Sequence, residues 1–100
     1  MTPTIPTPPR FRLGQVVMGQ SVTDLIERGS LNVQSYLERH VSGDWGDISK
    51  AHVVVNEVAL HSNDFVFSRY NLTTDQRLWI ITDGDRHTTT VLLVRRFQYC

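Results

Sequence analysis

Three runs in the last third of the chain decide the fold: Phe65-Val66-Phe67-Ser68-Arg69-Tyr70, Leu78-Trp79-Ile80-Ile81-Thr82 and Thr88-Thr89-Thr90-Val91-Leu92-Leu93-Val94. Each is short and rich in β-branched and aromatic residues, the composition that fits a pleated, half-buried surface. Asn71-Leu72-Thr73-Thr74-Asp75-Gln76 separates the first two and Asp83-Gly84-Asp85 the second pair, both carrying residues that turn a chain. Consecutive strands with links this short pair with their neighbours. The pattern predicts an antiparallel meander over 65–70, 78–82 and 88–94.

Working back from the meander, Phe11 to Met18 alternates well enough for a further strand, with Gly14 as a bulge, and this strand can join the meander's edge. Three helices fill the middle. Ser21 as N-cap, Val22, Leu25 and Ile26 on one face and Gly29 as terminator predict a helix over 21–28. Asn32 as cap and Val33, Tyr36, Leu37 and Val41 at 3-4 spacing predict a second over 33–41, ended by Gly43. A third, over 48–61, has Asp47 or Ser49 as cap and an inward stripe of Ala51, Val54, Val55, Val58 and Ala59. The run Val53–Val55 also has strand character. The expected fold class is α+β: three short helices packed on an antiparallel sheet of three to four strands. Four prolines among the first nine residues forbid helix and central strand. Residues 1–10 are therefore a disordered proline-rich arm and 11–100 a single α+β domain.

Composition fits one small domain: 100 residues, 40% apolar and 20% charged. No apolar run approaches the ~20 residues of a membrane span, and prolines stand where a signal peptide needs an apolar stretch. A cytoplasmic location is expected. Ten basic residues balance ten acidic ones, which argues against strong steering toward nucleic acid and against an acidic DNA-mimicking body. Nine of the ten basic residues are Arg, with Lys50 the exception. Arginine suits interfaces where lysine is depleted, although GC-rich coding produces the same bias.

Motifs for chemistry are sparse. His40, His52, His61 and His87 are scattered, and none pairs at helical spacing with a third ligand nearby, so no metal is assigned. Asp83, Asp85 and His87 alternate around a turn, where acidic side chains more often bond their own backbone. Cys100 is terminal, no Gly-x-Ser-x-Gly elbow occurs, and the glycines are isolated, so neither catalytic residue nor cofactor is assigned. A small hydrolase is the weakest reading. Arg10, Arg12, Arg95 and Arg96 interleave with Phe11, Phe97 and Tyr99, as a nucleic-acid stacking surface would, but a charged sheet edge has the same composition. Trp45, flanked by Gly43 and Gly46, and Trp79 are expected in the core, and Arg69, Asp83, Asp85 and Arg86 can form an ion cluster at the turns.

The segment Arg39-His40-Val41-Ser42-Gly43-Asp44-Trp45-Gly46-Asp47, with Asn56-Glu57, Ser68-Arg69-Tyr70 and the run from Leu78 through Trp79-Ile80-Ile81-Thr82-Asp83 to Leu93, resembles a family of small bacterial proteins carried by plasmids and integrative elements. The similarity covers about residues 13–93. The chain departs from it in the basic, aromatic end from Val94 to Cys100, the Val-rich third helix and the proline arm. The resemblance implies no catalytic residue. It implies the company of mobile elements, whose small proteins often counter host defences. The expectation is a non-enzymatic, anti-CRISPR type inhibitor that binds a protein subunit of a CRISPR or restriction effector complex. Arg69, Asp83, Asp85, Arg86, Arg95, Arg96 and Tyr99 are its candidate contact residues. The alternative is a nucleic-acid-binding or regulatory accessory protein of the same elements.

Overall fold

The alternating runs form the meander: β2 (Val66–Asn71), β3 (Gln76–Thr82) and β4 (Thr88–Arg95) pair antiparallel in chain order. The computed structural model describes residues 9–95, so the first eight residues of the proline arm, and Arg96 and Tyr99 among the candidate contacts, lie outside the described residues. β1 (Gln15–Met18) lies along β4, giving the order β1-β4-β3-β2. It runs parallel to β4, so the sheet is mixed rather than antiparallel throughout. The connection from β1 to β4 contains every other element, and a link that long can return a strand in either direction. β1 is also shorter than the alternation suggests. Gly14 takes φ 65°, and a Cβ there would stand 2.2 Å from the His87 carbonyl oxygen, so the chain kinks and carries Phe11 away from the sheet.

The helices are α1 (Gln20–Glu27), α2 (Val33–Val41) and α3 (Lys50–Ser62). α1 starts one residue earlier than expected, with Gly19 in the N-cap position and Ser21 inside the helix. It ends at Gly29, where the Gly29 and Ser30 N–H groups return to the Ile26 and Leu25 carbonyls. Asn32 and Ser49 cap α2 and α3, accepting from the Ser35 and His52 amides. Val22 of α1, Leu31, and Leu37 of α2 cover one face of the sheet, against Tyr70, Leu78, Ile80 and Val91. A second cluster gathers Phe11, Trp45, Ile48, Val53, Ala59, Leu60 and Val66 beside it.

α3 is rotated from its expected setting. Its buried residues are Asn56 and Ala59, while Val54, Val55 and Val58 are 62, 56 and 59% exposed. The cause is the unpaired edge of β2. The Asn56 amide donates to the Phe67 carbonyl at 2.7 Å and accepts the Phe67 N–H at 3.1 Å, standing in for a neighbouring strand. The loop before α3 continues the seal: Arg69 N–H donates to the Trp45 carbonyl, Asp47 N–H to the Arg69 carbonyl, and Asn71 N–H to the Asp47 carboxylate. Turning the valines inward would withdraw Asn56 and strand two backbone groups, which costs more than exposing three small side chains.

Candidate functional site

Four polar side chains form a buried, hydrogen-bonded chain between α2 and the sheet. Thr89 Oγ1 lies 2.7 Å from the Leu13 carbonyl, which can only accept, so the Thr89 hydroxyl donates there. Thr82, 2.8 Å away, must then donate to Thr89. With its proton so placed, Thr82 accepts from His40 Nε2–H at 2.9 Å, and His40 Nδ1 accepts the Ser68 hydroxyl at 2.5 Å. The donors run one way, from Ser68 through His40, Thr82 and Thr89 to Leu13, and the network itself assigns the tautomer. His40, Ser68, Thr82 and Thr89 are all fully buried. Burial pushes the His40 pKa down to about 3, and the positive charge of Arg86 acts in the same direction. A Ser–His pair resembles a nucleophile and its base, but this one has no exposed atom, and so weak a base removes no hydroxyl proton near neutral pH. It ties α2 to β2, β3 and β4.

Two ionic clamps hold the chain around this cluster. Arg10, assigned to the arm by its sequence neighbours, grips Glu57 with its Nη1 and Nη2 groups at 2.9 and 2.7 Å, and its backbone N–H donates to the Val41 carbonyl. Glu57 also accepts the Trp45 indole N–H at 3.2 Å, and the Arg10 fork holds its carboxyl below the usual range. Arg39 pairs with Asp44 at 2.8 Å while its guanidinium lies 4.6 Å from the Tyr70 ring centre. The Tyr70 hydroxyl donates to the Asp44 carbonyl at 2.6 Å, and burial pushes its pKa up to about 12. Trp45 is buried as expected, stacked on Phe11 and edge-on to His40.

The candidate contact residues do not form one patch. Asp83, Asp85 and Arg86 share the β3–β4 turn; Arg69 sits in the middle of β2; Arg95 ends β4 opposite Gln76, at the other end of the sheet. Arg86 adopts φ 61° and folds back, donating to the carbonyls of Asp64 (2.7 Å), Asp83 (2.9 Å) and Ala59 (3.2 Å). The Ala59 carbonyl, in the last turn of α3, already accepts the Asn63 and Asp64 N–H groups, so Arg86 adds a further donor that ties the β3–β4 turn to the end of α3. Arg69 Nε donates to the Asp47 carbonyl at 2.8 Å, and Asp85 accepts the His87 N–H at 3.0 Å. Arg69 and Arg86 bond backbone carbonyls in place of the carboxylate cluster the sequence suggests. Asp83 and Asp85 remain exposed.

What the sequence did not reveal is the pair of uncovered apolar surfaces. One is the sheet face opposite α1 and α2. The pairing register lays across it the rows Phe67-Ile81-Thr90-Val17, Arg69-Trp79-Leu92 and Asn71-Arg77-Val94. Val17 and Leu92 are 45 and 37% exposed, and Trp79, expected in the core, lies half-buried here, edge-on to Phe67. Its indole N–H is shut off from solvent and has no partner among the described residues. The other surface is the outer stripe of α3, which with Phe65, 55% exposed, borders a groove of about 280 Å³. The signal for the first lay in Trp79-Ile80-Ile81, a strand apolar on both faces in a chain with too few helices to cover both. No protein-family model, curated protein or solved structure matches the chain. Among the described residues, no helix is long and apolar enough to cross a membrane.

Proposed function

We propose that this is a non-enzymatic, mobile-element protein that inhibits a bacterial defence nuclease complex of the CRISPR or restriction type by binding one of its protein subunits. The observation that carries the binding role is the uncovered sheet face. Val17 and Leu92 are exposed there beside half-buried Phe67, Trp79 and Ile81, and apolar side chains gathered on an open face and rimmed by polar ones mark interaction sites. Trp and Arg, which dominate the energetic centres of interfaces, stand side by side there as Trp79 and Arg69. The defence-nuclease target comes from the resemblance of residues 39–47 and 78–93 to mobile-element proteins. A neutral net charge favours occlusion over DNA mimicry.

Titrating the protein against a purified effector tests this reading. Inhibition should saturate at a fixed ratio and a complex should survive gel filtration. Leu92→Arg should weaken both without lowering the melting temperature. Inhibition that continues at trace amounts would mean turnover and overturn the proposal. A second reading has its own observation: Arg69, Arg77, Phe67 and Trp79 on an open sheet are the residue types on which single-stranded bases stack. A gel shift with single-stranded oligonucleotides and no effector present would favour it.

A further inference from the structure

The outer face of α3 is a separate surface, and the occupant that its chemistry fits is a second copy of this chain. We infer that α3 is the interface of a two-fold symmetric homodimer. The inference does not depend on the inhibitor reading. The stripe is close to palindromic: Ala51, Val54, Val55, Val58 and Ser62 put valines at the centre and a small residue at each end. An antiparallel pairing centred between Val55 and Val58 sets Val55 against Val58 of the second copy and Ala51 against Ser62. Small residues at both ends allow the close approach that packed helices need, roughly 8–10 Å between axes.

Charge follows the same symmetry. In this register Lys50, at the start of α3, faces the turn after its end, where Asp64 is exposed. The contact forms twice, as an isologous interface requires. The groove lined by Val54, Val55, Val58, Ser62, Asp64 and Phe65 runs along this stripe. In this register Val55 of the second copy enters it beside Val58, and the reverse contact is identical. The open sheet face lacks this property. Its rows carry Arg69 and Arg77 and no carboxylate, so two such faces would bring like charges together. A patch one helix long, ~20 Å, falls at the lower end of interface sizes, below roughly 1,200 Å², so dimerisation in the micromolar range is expected.

Sedimentation velocity of the full chain across a concentration series from low to high micromolar tests this directly. The expected result is a shift from the 11.5 kDa monomer toward twice that mass. Val55→Asp should keep the chain monomeric throughout, with an unchanged circular dichroism melt at low concentration. Lys50→Asp and Asp64→Lys should each weaken the dimer about tenfold, and the double swap should restore it, which fixes the register. A monomer at every concentration overturns the inference. So does a dimer that survives Val55→Asp, one that dissolves with Leu92→Asp on the sheet face, or a double swap without rescue.

Discussion

Acid should unfold this protein earlier than its carboxylates alone would dictate, because of His40. The ring is neutral in the folded state, with a pKa of about 3 set first by burial and then by Arg86. In the unfolded chain it returns to about 6.5. The folded pKa is the lower one, so between these values the unfolded state binds the extra proton and stability rises with pH. The contribution is complete above pH ~6.5 and is lost progressively as pH falls toward 3. Each unit in that window is worth about 1.4 kcal/mol, so acidification from pH 6.5 to 5 should remove roughly 2 kcal/mol. That is a large fraction of what a domain of this size holds. Asp44 and Glu57, whose pKa values are held down by Arg39 and Arg10, add their own losses only as pH approaches the ordinary carboxylate range. Urea unfolding followed by tryptophan fluorescence at half-unit steps from pH 7.5 to 5 measures the slope. His40→Gln should lower stability at pH 7 and flatten that slope. A slope unchanged in His40→Gln, or an NMR titration of His40 near 6.5, would refute the reasoning.

Four further variants probe the packing. Gly46→Ala should cost about 3 kcal/mol or more, since φ is 77° and a Cβ would meet the Arg69 carbonyl oxygen at 2.4 Å and the Tyr70 ring at 2.5 Å. Gly29→Ala, with φ 73° and open space around it, should cost only the left-handed penalty of roughly 1 kcal/mol, and thermal melts of the two variants separate sterics from conformation. Trp45→Ala should cost roughly 3–5 kcal/mol by urea unfolding, because it empties the second core cluster and leaves Glu57 short of a donor. Asn56→Leu should lose about 2 kcal/mol or more and aggregate at high concentration, as light scattering would show, because it reopens the β2 edge at Phe67.

The meander was legible because its signal is local: alternation within each strand and turn residues between them settle the pairing. β1's direction was not, since nothing in a four-residue strand records which way its distant partner runs. The helices were legible as helices but the facing of α3 was not. Counting apolar residues selects the valine stripe, whereas the helix is set by Asn56, a polar residue that periodicity assigns to solvent. His40 was hidden for a related reason. Its partners Ser68 and Thr82 lie 28 and 42 residues along the chain, Thr89 joins only through Thr82, and each alone reads as an ordinary strand residue. A trace was there: all three hydroxyls occupy the inward positions of their strands, between Val66 and Tyr70, after Ile80, and before Val91. Inward hydroxyls on three adjacent strands need a buried partner. The positions of Arg69 and Arg86 were equally opaque, because both spend their donors on backbone carbonyls that only the fold brings near.

The two uncovered surfaces differ in a way that bears on how an inhibitor of this architecture would act. α3 runs along the β2 edge, with His52 against Phe67 and with Val53 and Leu60 in the second cluster, so its valine stripe points away from the sheet. A dimer closed through that stripe leaves both open sheet faces uncovered. Two identical binding faces held at a fixed separation convert the second contact with a multi-subunit target into an intramolecular one, and apparent affinity rises without a new contact. Val55→Asp should therefore lower potency against an effector that repeats its subunit, while leaving affinity for the isolated subunit unchanged. Calorimetry on the single subunit and a cleavage assay on the assembled effector distinguish the two. Equal losses in both would place Val55 in the target contact itself, and the sheet face would then not be the inhibitory surface.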